Sequence, residues 1–352
     1  MNETNTAFDL NKLLDLAIEK NASDIHLGAD QKTALRIFGD IHLVEKLPIP
    51  DEKMAENLIF QMLKSDTEIE KLKRDREFDF SYEHTDGTNF RCNAFFRRGR
   101  IALVMRQVDK LLPTLEDIGM PTIMHELIRQ KQGLILVCGP TGSGKSTTLR
   151  AVLEEINQTR VEHIITIEDP IEYVFTNKKC IFSQRELNYD THSFDAALRV
   201  SLREDPDVVM VGEMRDRDTI TAALNLCETG HLVFSTLHTN SASQTVNRLM
   251  QAFSLDQRNA VLSRLADSLI AILSQRLIPR KGGGRIAIFE LMITTSAIRN
   301  AIRKGDTPQL DNTITTSSDL GMISMRRFAE DLIERDVIDR EHVEPFLKRD
   351  EN

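Results

Sequence analysis

Between residues 11 and 20 the apolar positions Leu13, Leu14, Leu16, Ala17 and Ile18 form one broad helical face, which predicts an amphipathic helix. The period then changes to two. Ser23-Asp24-Ile25-His26-Leu27 and Ala34-Leu35-Arg36-Ile37-Phe38 alternate as strands, and Gly39-Asp40 turns the second into residues 41–44 as a hairpin. Helical spacing returns from Asp51 to about Leu63, and strand-like runs follow at 79–82, 90–96 and 101–106. Up to about residue 108 this mixture describes a small α/β domain with no mononucleotide loop.

Leu111-Leu112-Pro113-Thr114 interrupts the pattern, so the chain divides into an N-terminal domain (1–110), a linker (111–114) and a second domain (115–352). Beyond the linker the pattern is α/β of another kind. Residues 133–138 form a continuous apolar strand, 146–157 a helix, and 163–167, 208–211 and 232–236 further short apolar strands. Buried strands alternating with helices predict a parallel sheet with crossover helices. The last 60 or so residues turn strongly helical.

Composition narrows the function classes. With 45 basic against 54 acidic residues the net charge is −9, which argues against nucleic-acid binding as the main activity. The basic clusters at 71–76, 97–100 and 280–285 read as solvated surface. No apolar run approaches the roughly 18 residues that span a bilayer, and residues 1–20 do not read as a signal peptide, so a cytoplasmic protein is expected. Cys92, Cys138, Cys180 and Cys227 are isolated, with no CxxC pair, and read as small buried side chains rather than a disulfide framework or a zinc site.

One segment carries specific chemistry. Gly139-Pro140-Thr141-Gly142-Ser143-Gly144-Lys145-Ser146, followed by Thr147, has the form GxxxxGK[ST] between an apolar strand and a helix. Its glycines let backbone N–H groups converge on phosphate oxygens, and the helix that follows adds the positive end of its dipole. Lys145 suits the β- and γ-phosphates, and the Ser146 hydroxyl suits Mg²⁺. Hydrolysis of a bound nucleotide also needs carboxylates at neighbouring strand ends. Ile167-Glu168-Asp169-Pro170-Ile171-Glu172 supplies one such group, and Val208-Val209-Met210-Val211-Gly212-Glu213 a second. A third strand, flanked by His231 and His238, is placed to sense the γ-phosphate.

Taken in this order, the three elements resemble the secretion ATPase superfamily that powers type IV pili and type II and IV secretion. The Asp box corresponds to Ile165-Thr166-Ile167-Glu168-Asp169-Pro170-Ile171-Glu172, the atypical Walker B segment runs from Arg203 to Asp216, and Gly230-His231 through Leu237-His238 is the His box. Ala22-Ser23-Asp24-Ile25-His26-Leu27 resembles the family's N-terminal signature. The pilus retraction branch is favoured on three grounds. The chain starts close to residue 22, leaving no room for the extra N-terminal domain of extension ATPases. Residues 275–290 lack the zinc-binding cysteines of those relatives. Ala297-Ile298-Arg299-Asn300-Ala301-Ile302-Arg303-Lys304 resembles the branch's AIRNLIRE motif, with departures at Ala301 and Lys304. From periodicity alone that segment is an amphipathic helix with Ala297, Ile298, Ala301 and Ile302 on one side.

The resemblance implies a small PAS-like α/β domain followed by a RecA-like P-loop ATPase domain with a helical C-terminus. It further implies a homo-hexameric ring using ATP and Mg²⁺, without zinc. Gly139, Thr141, Gly142, Ser143, Gly144, Lys145, Ser146 and Thr147 would bind the nucleotide, with Ser146 and Glu213 at the metal. Glu172 would orient water, supported by Glu168 and Asp169, and His231 and His238 would couple the γ-phosphate to conformation. Arg91, Arg98, Arg106 and Arg203 are the arginines among which transition-state charge neutralisation is sought. The implied activity is pilus retraction, driven by closure and reopening of the two domains about the linker and delivered to an inner-membrane platform protein against which the ring docks. The alternatives are an accessory retraction paralogue, a nucleotide-binding module with little turnover of its own, and an extension or secretion ATPase.

Overall fold

The computed structural model describes residues 8–37, 39–108 and 112–347; Phe38 of the expected hairpin and Leu111 of the expected linker lie outside the described residues. The chain forms two compact units, 1–111 with 170–174, and 112–169 with 175–352.

In the first unit, α1 (Leu10–Glu19) buries Leu10, Leu13, Leu14 and Ala17, a spacing that keeps one side of the helix apolar, and Asp9 caps its N-terminus. The strands β1 (Asp24–Gly28), β2 (Ala34–Ile37) and β3 (Asp40–Leu43) follow. Then come α2 (Glu52–Phe60) and α3 (Asp66–Asp75). β4 (Glu77–Glu83), β5 (Asn89–Arg97) and β6 (Arg100–Gln107) complete an antiparallel sheet of order β3-β2-β1-β6-β5-β4. Helix α3 was not expected from the pattern; it sits where the basic cluster 71–76 was read as surface. Only Glu68 and Leu72 of it are buried, so local signals carry it: Ser65 accepts from the Glu68 N–H, and Glu68 accepts from the Lys64 N–H. Leu13, Leu14, Ile59, Leu72, Phe90 and Leu103 are packed into one core from helices and sheet together.

The second unit begins with α4 (Met124–Leu127) and continues β7 (Gly133–Cys138), α5 (Lys145–Thr159), β8 (His163–Glu168), β9 (Ile181–Glu186), α6 (Phe194–Ser201), β10 (Val208–Val211), α7 (Arg217–Glu228) and β11 (Leu232–Leu237). It ends with α8 (Ala242–Gln251), α9 (Arg258–Ser268), β12 (Leu269–Pro279), β13 (Arg285–Ile293), α10 (Ser296–Lys304), α11 (Thr307–Thr316), α12 (Met325–Glu334) and α13 (Arg340–Leu347). The sheet order is β13-β12-β7-β11-β10-β8-β9, parallel throughout except for β13. The parallel sheet is as expected, but β9 and the β12–β13 hairpin extend it at both edges. β7, β10 and β11 are buried at every position, as strands covered on both faces must be. Alternate residues such as Leu134, Leu136, Val209 and Val211 pack with α6 to α11, and α12 and α13 close a smaller core on Ile278 and Ile288.

Helix α10 buries Ile298, Ala301 and Ile302, while Ala297, expected on the same side, is exposed. Its Arg299 Nε donates to the Ala266 carbonyl 3.0 Å away, near the end of α9, and Arg303 pairs with Asp267. Among the described residues no helix is long and apolar enough to cross a membrane.

All four cysteines are free and buried. Burial pushes every one of these thiols up, Cys227 to about 12 with Glu228 adding to the shift. Because the thiolate is the nucleophile, the native protein is expected to resist alkylation by iodoacetamide at neutral pH, and the unfolded chain to react at all four positions. Mass spectrometry before and after denaturation checks this; rapid labelling of the native protein would contradict it.

Candidate functional site

The parallel register decides what gathers at the end of β7. Cys138 lies opposite Leu237 of β11 on one side and Ser274 of β12 on the other. The next residues, Gly139 and His238, therefore leave the sheet at one level, beside Gln275, which continues in β12. This is the carboxyl end of parallel strands, where ligands bind in open α/β sheets.

The loop from Gly139 to Gly144 is shaped by its neighbours as much as by its own glycines. Gly139 has φ +154°, and a Cβ there would stand 2.4 Å from the Gln275 carbonyl oxygen and 2.5 Å from Ser143 Oγ. Gly144, at φ +90°, precedes the first residue of α5, and a Cβ on it would stand 3.2 Å from Gln275 Nε2. Lys145 is buried, and its Nζ donates to the carbonyls of Gly139 and Pro140 at 2.9 and 3.0 Å. Burial lowers its pKa, opposed by the nearby Cys138 and Glu213. Ser146 is exposed in the first turn of α5, and Thr147 Oγ1 accepts from Arg150 at 3.4 Å. The α5 N-terminus thus offers its N–H groups and dipole on the same side as a cation.

Glu213 reaches the same place from β10. Ser235 Oγ and Thr236 Oγ1 donate to the carbonyls of Val211 and Gly212 at 2.9 and 2.6 Å, fixing where the chain leaves the strand. His238 then links the groups: its Nδ1 lies 3.5 Å from Lys145 Nζ and its Nε2 3.7 Å from Glu213. Arg215 pairs with the other Glu213 oxygen, while Glu213 Oε2 is buried without a hydrogen-bond partner. Burial lowers the His238 pKa, with Lys145 and then Arg215 acting in the same direction and Glu213 against them.

The remaining expected residues fall in several places. Glu168 ends β8, buried, with its carboxylate accepting from Thr166 Oγ1 at 2.6 Å and Gln184 Nε2 at 3.2 Å. Asp169 is exposed beside it. Glu172 belongs to 170–174 and so to the first unit, where it pairs with Arg91 at 3.6 Å. Arg106 pairs with the buried Asp24 at 2.8 Å, and Arg98 occupies the β5–β6 turn at φ +51°. Arg203 is exposed between α6 and β10, upstream of the strand that ends toward Glu213. His231 is not near the phosphate loop within this chain. It precedes β11 whereas His238 follows it, about 20 Å apart at strand rise, and its Nδ1 is 3.0 Å from the Leu226 carbonyl at the end of α7. Within this chain, then, the strand between them brings His238 but not His231 to the phosphate loop. Two residues at the site were given no role from the sequence. Arg215 sits two positions after Glu213, inside the atypical Walker B segment, and Gln275 lies in a strand that the apolar pattern did not reveal; the run Leu269-Ile270-Ala271-Ile272-Leu273 just before it was the available signal.

Two expectations follow. Gly139→Ala should weaken ADP binding by at least about 10-fold, or ~1.4 kcal/mol, because its Cβ meets backbone; calorimetry reads it, and wild-type affinity would contradict the loop geometry. A lowered His238 pKa means the unfolded state takes up the proton first as pH falls, so stability is complete above the ordinary histidine value and declines through the lower folded one. The wild type should therefore lose more Tm than His238→Asn between about pH 7 and about pH 5; parallel losses would contradict the assignment.

The family model described as type II/IV secretion system protein matches residues 3–282. The type IV pilus retraction ATPase PilT of Pseudomonas aeruginosa is 42% identical over 344 residues, covering 98% of this chain and 99% of its own. The type IV pilus ATPase PilU of the same organism is 36% identical over 315 residues, covering 89% and 82%. A crystal structure of the pilus retraction motor PilT with bound ADP matches with a TM-score of 0.89 at 43% identity, over 95% of this chain and 96% of that one. The protein belongs to the type II/IV secretion system protein family, as a P-loop ATPase with that family's α/β architecture.

Proposed function

We propose that this chain is the subunit of a hexameric ATPase ring that retracts a type IV pilus. The observation that carries this reading is the cluster of Lys145, His238 and Glu213 at the end of the phosphate loop, in a chain that aligns with a retraction ATPase over nearly its whole length.

In this reading the loop N–H groups and Lys145 hold and neutralise the phosphates of ATP. The donor set suits Mg²⁺: Ser146 offers an exposed hydroxyl, and Glu213 a buried carboxylate oxygen with no hydrogen-bond partner. Mg²⁺, when bound, supplies charge neutralisation at the phosphates. Glu172 orients the attacking water, with Glu168 and Asp169 supporting it, and an arginine among Arg91, Arg98, Arg106 and Arg203 completes the charge balance. His238, close to both Lys145 and Glu213, registers whether a γ-phosphate is present. His231 is left to brace the start of β11. The ring works in the cytoplasm, docked on an inner-membrane platform protein that receives its motion.

Steady-state ATP hydrolysis tests the enzyme reading. Lys145→Ala, Glu213→Gln and Glu172→Gln should each lower kcat by about 100-fold or more; wild-type turnover no higher than that of Lys145→Ala would leave an accessory nucleotide-binding module instead. Direction is read in cells: loss of the gene should leave hyperpiliated cells that do not twitch, whereas bald cells would mean extension.

A further inference from the structure

We propose that Gln275 is a positioning residue that sets the phosphate loop in its anion-binding conformation. The inference rests on the nucleotide-binding reading above and deepens it.

Gln275 is 1% exposed, on β12, one residue beyond the Ser274 that lies opposite Cys138. It therefore stands directly behind the loop. Its Nε2 donates to the Ser143 carbonyl oxygen at 2.7 Å. A carbonyl oxygen only accepts, so the amide nitrogen is the end that faces it. The consequence lies on the other side of the peptide. In a trans peptide the C=O of one residue and the N–H of the next point in opposite directions. Drawing the Ser143 carbonyl back toward β12 aims the Gly144 N–H away from the sheet, into the turn that Lys145 and α5 complete. One side chain thus orients a backbone donor it never touches.

Two further observations support a role other than packing. Gln275 Oε1 and Ser143 Oγ are both buried without hydrogen-bond partners. A buried amide that pairs only one of its ends is a poor choice for stability, and a methionine of similar volume would fill the space without that cost. The loop also makes room for this side chain: a Cβ on Gly144 would stand 3.2 Å from Gln275 Nε2.

The experiment compares wild type, Gln275→Met and Gln275→Asn, the last keeping an amide one methylene too short to reach. ADP binding is read by calorimetry, ATP hydrolysis by kcat and KM, and folding by Tm without nucleotide. An N–H that meets phosphate alike in bound ATP and in the transition state contributes uniform binding. Both variants should therefore raise the ADP Kd and the ATP KM by about 10-fold while kcat stays within about 3-fold, and Gln275→Met should keep the wild-type Tm. Folded variants with wild-type Kd and KM would overturn the proposal, as would a lowered Tm with unchanged Kd. Wild type that fails to bind ADP or to exceed Lys145→Ala in turnover would overturn the nucleotide reading itself, a separate outcome.

Discussion

The site depends on the hydrogen-bonded register of one buried strand. β7 is six residues long, buried throughout, and tied on both sides to parallel neighbours, β11 and β12. Because side chains alternate with period two, slipping either neighbour by one residue would turn each of its side chains to the opposite face, against the wrong packing partners. The apolar packing on both sides forbids that, and the same registration delivers Gly139, Gln275 and His238 to one level. A phosphate loop is flexible as a peptide; here its first glycine, Gly139, is confined by the Gln275 backbone carbonyl that the sheet has already fixed.

Electrostatics then follows from placement. Lys145 and Arg215 bracket a carboxylate and an imidazole, and the desolvated neighbourhood keeps the imidazole from adding a third positive charge. Lys145 accordingly shares its surroundings with a carboxylate and an imidazole whose protonation burial disfavours.

Much of this was legible in the residues. The phosphate loop is local chemistry, needing a strand, a run of glycines and a lysine in sequence, and Val208-Val209-Met210-Val211 before Gly212-Glu213 was equally direct. What was not legible required three dimensions. Helix α3 has too few apolar positions to show a periodic face and is carried by its cap. The β12–β13 hairpin hid in a continuous apolar run without alternation, and with it went Gln275, whose importance comes from a neighbour 132 positions away in the chain. Both histidines flank a strand, and sequence proximity concealed that a strand separates its ends as far as any element of that length can. Glu172 was placed with the carboxylates before it, yet the chain hands it to the first unit.

That last feature bears on how the protein can be dissected. The polypeptide passes from one unit to the other after 111, returns at 170 and leaves again after 174. The units are threaded rather than strung. A single protease cut in the segment after 111 releases 1–111 but leaves residues 170–174 of the same unit on the other fragment, and a gene fragment ending there lacks that part of its own unit. The natural boundary of this molecule is therefore not one point along the chain, and neither unit is a cassette that recombination could move alone.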